Sequence, residues 1–234
     1  MGFGIENKNK AITFSYDDGV TQDIRLIDLL NKYGLKSTFN INSQLLGGKG
    51  IIPNGKRRLA HYKIHPDDVR QVYEGHEIAV HTLTHPNLTQ CDDAEVIRQV
   101  EQDRLRLSEL AGYEVVGMAY PCGGVNNDDR VAKLIKESTG VKYSRTIASN
   151  HSFDPQQNLF RFDPTVYHLN FDDMMRLGRE FVELKADSPK IFYVWGHSYE
   201  MDIGADFWMR LEEFFKLISN KDDIFYGTNK EILL

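Results

Sequence analysis

Ile191-Phe192-Tyr193-Val194-Trp195 is apolar at every position and runs straight into Gly196-His197-Ser198. An unbroken apolar run of this length, stopped by a turn signal, describes a strand buried on both faces, as in a parallel sheet covered by helices. Outward from it, short apolar runs alternate with helical patterns along the whole chain. AITFSY (Ala11–Tyr16), STFNIN (Ser37–Asn42), EIAVHT (Glu77–Thr82), VVGMAY (Val115–Tyr120), YSRTIA (Tyr143–Ala148), FDPTVYHL (Phe162–Leu169) and IFYGT (Ile224–Thr228) read as the other strands. Helical spacing covers residues 22–33, 65–74, 92–111, 128–138 and 172–185, with a further helix around Phe207, Leu211, Phe214 and Ile218; Gly34, Gly75 and Gly112 supply stop signals. Residues 44–63, rich in Gly, Lys and Arg, read as a long surface loop of the kind that serves as a lid, and residues 229–234 as a short tail. Strand and helix alternating about seven times predict an α/β fold, a distorted (β/α) barrel with about seven parallel strands, with a doubly wound open sheet as the alternative. Either architecture puts working residues at the carboxyl ends of strands.

The bulk numbers agree with one domain spanning residues 1–234. The chain is 41% hydrophobic and 26% charged, ordinary for a globular protein, and its net charge of -6 offers no basic surface to nucleic acid. Cys91 and Cys122 form no CxxC pair. No apolar run has the length of a membrane span or the form of a signal peptide, which leads to the expectation of a cytoplasmic protein or a trimmed secreted one. The oligomeric state is not legible.

Polar clusters stand where apolar strands stop: Asp17-Asp18-Gly19 after the first, His81 and His85 after the third, Pro121-Cys122-Gly123-Gly124 after the fourth, and His197 after IFYVW. A barrel mouth would gather all four. The HxxxH spacing lets two imidazoles reach one ion. Two adjacent aspartates repel and need solvent or a cation; next to a histidine pair, one of them completes a two-His, one-carboxylate site. The other is then free to act as a base on water, although spacing does not say which aspartate does which. The same ligand set also holds non-haem Fe(II), usually on β-sandwich folds. His197 titrates near neutrality and suits a general acid, or simply caps its strand. His61, His65 and His76 read as structural or surface residues, and His168, ending a strand, as a weaker site candidate.

Taken in order, SYDDG, HTLTH, YPCGG and the late strand ending in His197 resemble the NodB-homology domain of polysaccharide deacetylases, carbohydrate esterase family four, over about residues 11–228. That resemblance implies Asp17 as catalytic base, Asp18, His81 and His85 as ligands of one divalent metal (zinc first, then cobalt, nickel or manganese), His197 as general acid, and the turn from Tyr120 to Gly123 as groove wall, with the backbone N–H of Cys122 in an oxyanion hole. Two departures stand out. Ala119 occupies the place of an arginine that orients the base, which predicts an Asp17 whose pKa is set by the metal and by burial alone. The acidic, Trp-containing element that steers the acid histidine is missing, with Glu200 or Arg161 as substitutes. The implied activity is metal-dependent removal of acetyl groups from N- or O-acetylated sugars. A metal-dependent amidohydrolase acting on a small cyclic amide and a degenerate, non-catalytic glycan-binding member are the alternatives.

Overall fold

The structure, a computed structural model, describes residues 2–4, 7–55 and 57–234. β1 (Lys10–Asp17) is buried along its whole length and is the central strand. It pairs in parallel with β9 (Lys190–Gly196) on one side, and on the other with β2 (Ser37–Ile41) above and β10 (Ile224–Tyr226) below. The order across the sheet is β7–β6–β5–β2–β1–β9–β8, with β5 at Glu77–Val80, β6 at Gly117–Ala119, β7 at Tyr143–Arg145 and β8 at Val166–Tyr167. The strands along this path are parallel. The chain entering β8 also reaches β7, because Phe162 bridges Arg145 and donates its N–H to the Ser144 carbonyl at 3.0 Å. The seven strands are thereby drawn into a distorted barrel, as the alternation predicts.

Helices cover the outside. α1 (Gln22–Lys32), α3 (Asp93–Ala111), α4 (Asp129–Ser138), α5 (Phe171–Glu183) and α6 (Phe207–Ile218) each turn an apolar stripe inward. Their ends follow local chemistry. Asp92 and Asp128 cap α3 and α4 by accepting from the Glu95 and Val131 N–H groups, and Gly112, at φ 79°, stops α3 in the left-handed conformation. An aromatic seam joins sheet to helices, with Phe14 edge-on to Phe215 at 5.2 Å and Phe192 edge-on to Phe214 at 5.9 Å. Burying each such ring contributes roughly 1.5–3 kcal/mol.

Three segments depart from the sequence reading. Residues 44–63 are largely ordered: β3 (Lys49–Asn54) and β4 (Arg57–Tyr62) form an antiparallel hairpin. Its apolar residues are interleaved with Gly, Lys and Arg, so the sequence hides the two-residue period. The hairpin is tied to the chain just after β1, where Val20 bridges Lys63 and the Ile64 N–H reaches the Gly19 carbonyl at 2.9 Å. The expected helix at 65–74 splits into a 3-10 turn at Pro66–Asp68 and a single α-turn, α2 (Val69–Val72). The tail is helical: α7 (Asn229–Leu233) starts at a reciprocal cap between Thr228 and Glu231.

Candidate active site and metal-binding group

The strand ends meet at one mouth. β1 delivers Asp17 and Asp18, β5 delivers His81 and then His85, β6 leads into Tyr120–Gly123, and β9 leads into His197. Asp17, Asp18, His81, His85, Cys122 and His197 all line a single cleft of about 190 Å³. The backbone there is unusual. Of the seven described non-glycine residues at positive φ, four are Asp18, Thr82, His85 and Cys122. Such conformations cost about 1–3 kcal/mol each and concentrate where surrounding structure imposes them for function. Here Asp103 of α3 accepts from the backbone N–H groups of Ser43 and His81, and the Asn42 amide donates to the carbonyls of His81 and Thr82, so the turn after β5 is held from two sides.

Among the described residues, Asp18, His81 and His85 form the group able to hold a metal, their ligand atoms all within 4.8 Å of one another. His81 Nδ1 lies 2.9 Å from the Ala119 carbonyl, which can only accept, so Nδ1 carries the hydrogen and Nε2 is left as the ligand atom. Burial lowers the pKa of His81 to about 4, and His85 is lowered by the same cause, so both are neutral at pH 7 as ligation requires. Asp18 Oδ1 lies 3.8 Å from His85 Nε2. Burial pushes the Asp18 carboxyl up, but a hydrogen bond from His61 and the charge of Lys63 outweigh it and hold it well below its ordinary value. Two imidazoles and one ionised carboxylate, close together on the wall of one cleft, fit a divalent ion.

Asp17 stands apart from this group. Arg145, wholly buried at the end of β7, places Nη2 2.6 and 2.5 Å from its two oxygens, and Asn40 adds a donor at 2.8 Å. Burial alone would raise the Asp17 carboxyl. The Arg145 guanidinium, with His81 and His197, outweighs that and keeps it below its ordinary value. The expectation of a base without an arginine partner is therefore corrected. The sheet explains it: Arg145 is the register partner of Ala119, so the guanidinium enters the mouth from β7, the strand beside the one where the motif places an arginine. The Trp195 ring lies 4.6 Å from the guanidinium and packs it in place.

His197 is held by Glu200. Glu200 Oε2 is 3.0 Å from His197 Nδ1 and 3.2 Å from its backbone N–H, while buried His168 meets the same oxygen at 2.8 Å and the Tyr167 hydroxyl donates to the other. Burial would lower His197, but Glu200, with Asp18 and Asp17, raises its pKa to about 9. Its Nε2 lies 3.9 Å from Asp17 Oδ2. Glu200 thus takes the steering place that the sequence left between Glu200 and Arg161. Arg161 is instead engaged with Asn127 and Asp129 on the outside. The turn after β6 is organised by buried Asn126, whose amide donates to the carbonyls of Pro121 and Cys122 at 3.1 and 2.8 Å. The Tyr120 hydroxyl is spent on the Phe160 carbonyl at 2.7 Å.

The hairpin adds a second wall. His61 Nε2 lies 3.2 Å from Asp18 Oδ2, and Lys63 Nζ lies 2.6 Å from the Asp18 carbonyl. His61 is accordingly a residue of the site and not the bystander its loop position suggested. Together with Leu45, Ile52 and Tyr199 these residues line a cleft of about 460 Å³ that opens beside the first and shares Asp18 and His85 with it.

The sequence model of the polysaccharide deacetylase family matches residues 4–143, more than half of the chain. The chain belongs to that family. Among curated relatives, it is 35% identical over 102 residues to a chitooligosaccharide deacetylase of Rhizobium leguminosarum bv. trifolii, covering 42% of this chain and 39% of that protein. It is 26% identical over 136 residues to the peptidoglycan-N-acetylglucosamine deacetylase PgdA of Listeria monocytogenes, covering 57% and 24%. The matches thus span less than half the length of these relatives. The fold is shared with the family 4 carbohydrate esterase of Streptomyces lividans at a TM-score of 0.56 and 14% identity, over 90% of this chain and 88% of that one. The matched stretch of the polysaccharide deacetylase family holds Asp17, Asp18, His81, His85 and the Tyr120–Gly123 turn, while Arg145, His197 and Glu200 lie beyond it.

Proposed function

We propose that the protein is a metal-dependent deacetylase that removes acetyl groups from N- or O-acetylated sugars, as the names of its relatives suggest. The observation that carries this reading is the pairing of buried Arg145 with Asp17 immediately beside the Asp18, His81, His85 group. It sets two adjacent aspartates to two different tasks. Asp18 faces the imidazoles and is a ligand. Asp17, fixed by a fork of donors and kept ionised, is a base.

A divalent ion on Asp18, His81 and His85, zinc by the nature of its ligands, would polarise the acetyl carbonyl and acidify a water. Asp17 accepts the proton of the attacking water. The backbone N–H of Cys122 stabilises charge on the acetyl oxygen. His197, kept protonated through neutral pH by Glu200, donates its proton to the leaving amine or alkoxide. Acetate and the deacetylated sugar leave. The absence of an arginine at position 119 was the feature that favoured a non-catalytic member, and Arg145 removes that argument.

A substrate panel tests the proposal: acetate release from N-acetylglucosamine oligomers and from O-acetylated sugars, against ring opening of cyclic amides. Acetate release from the acetylated sugars alone is expected. Turnover of cyclic amides alone would move the assignment to an amidohydrolase, and no turnover on any substrate with metal bound would leave a binding protein.

A further inference from the structure

We infer that His61, on the hairpin strand β4, is a positioning residue of the metal site: its ring N–H fixes the outer oxygen of Asp18 and thereby aims the inner oxygen at the metal. The inference rests on the reading of Asp18, His81 and His85 as metal ligands. The two oxygens of Asp18 are unequal. Oδ1 is the one nearer His85 Nε2, at 3.8 Å, and so faces the ligand group. Oδ2 is 3.2 Å from His61 Nε2. A carboxylate only accepts, so Nε2 carries the hydrogen and His61 is the donor.

His61 does not belong to the ligand group itself, whose described members are Asp18, His81 and His85. It acts through Asp18. Its own ring is held edge-on against Tyr199 at 4.8 Å, and its partner across the hairpin is Gly50, where a Cβ would stand only 3.3 Å from the His61 carbonyl. Asp18 needs such support, because it sits at φ 85°, a strained conformation for a residue with a side chain. The same strand end supplies a second hold: Lys63 Nζ donates to the Asp18 carbonyl at 2.6 Å and stands 3.3 Å from Oδ1, a charge beside the liganding oxygen, and Lys63 is bridged to Val20, two residues beyond Asp18. The hairpin, which no barrel needs for closure, is thus built onto the carboxylate ligand, one of the two ligands, with His85, that sit at positive φ. A donor placed on the outer oxygen of a liganding carboxylate fixes its orientation, and removing such a partner typically weakens metal binding about 10–100-fold.

The test is a zinc titration of the full chain against a chromophoric chelator, for wild type, His61→Ala and His61→Gln, with the Co(II) absorption spectrum of each. His61→Ala should bind zinc about 10–100-fold more weakly, and His61→Gln, which keeps an N–H donor, should recover most of that loss. The Co(II) band positions should stay the same in all three, because the ligand set is unchanged. Melting of the metal-free protein should differ little between wild type and variants. Equal zinc affinity in wild type and His61→Ala would overturn the inference, and so would a Co(II) spectrum that reports a lost ligand. A wild type that binds neither zinc nor cobalt would instead overturn the metal reading on which it rests.

Discussion

Replacing Arg145 by Met removes the charge that holds Asp17 ionised while keeping much of the side-chain volume. Both partners are at most 2% exposed, and Nη2 lies 2.5 Å from Asp17 Oδ2, so water cannot substitute. Two unit charges about 4 Å apart at an effective dielectric constant near 20 interact by about 4 kcal/mol. At about 1.4 kcal/mol per pKa unit that bounds the change near 3 units, and pairing with Arg commonly contributes about 1–3. Burial, the largest influence on this carboxyl, acts upward and would keep as its opponents His197, the Asn40 amide and the bound cation, but no longer the guanidinium. The sign is therefore fixed: the acidic limb of kcat/KM against pH should move up by about 1–3 units in Arg145→Met. Arg145→Lys, which keeps the charge but loses the planar guanidinium whose Nη2 meets both Asp17 oxygens and whose Nη1 is tied to the Thr146 carbonyl, should show a smaller shift. The assay is acetate release from an N-acetylated oligosaccharide between pH 4 and 9, on protein shown to be folded and metal-loaded. An unmoved acidic limb in folded, loaded Arg145→Met would refute Asp17 as the titrating base.

Glu200→Gln should move the basic limb down, because Glu200 is the chief influence raising His197 toward about 9 and the neutral amide cannot hold the imidazolium; a limb that stays in place would separate that titration from His197. His197→Ala should spare metal binding and slow turnover by roughly 10²–10⁴-fold, more for amides than for activated esters; equal losses on both leaving groups would count against a general acid. Asp17→Asn should abolish turnover with metal content intact, whereas Asp18→Asn should lose metal; the reverse pattern, read by metal analysis, would exchange the two roles. His81→Ala or His85→Ala should each sharply weaken zinc binding, and tight binding by the double variant would place the metal elsewhere.

What was legible in the sequence is uneven, for physical reasons. The barrel could be read because β9 is buried on both faces and carries an unbroken apolar run, because the other strands are short and mostly apolar, and because Asp92, Asp128 and Gly112 punctuate the helices with local signals. The hairpin could not, since one of its faces packs on the barrel mouth and the other meets solvent, and Lys49, Gly50 and Arg58 break the alternation. Asp17, Asp18, His81, His85 and His197 stood out because each follows a strand end directly. Arg145 did not, although it too ends a strand. Its partner is 128 positions away, and the contact depends on the pairing of Arg145 with Ala119, a register that appears only when β6 and β7 lie side by side. His61 was missed for the same reason: no spacing along the chain connects it to Asp18.

The most direct test of the whole account is acetate release from an N-acetylglucosamine oligomer by one preparation in three states: as purified, stripped with a chelator, and reconstituted with one equivalent of zinc. Metal-dependent deacetylation at this cleft predicts that stripping abolishes release, that one equivalent restores it, and that Asp17→Asn carrying the same equivalent of zinc stays inactive. Release that survives complete removal of metal, or that persists in zinc-loaded Asp17→Asn, would contradict it.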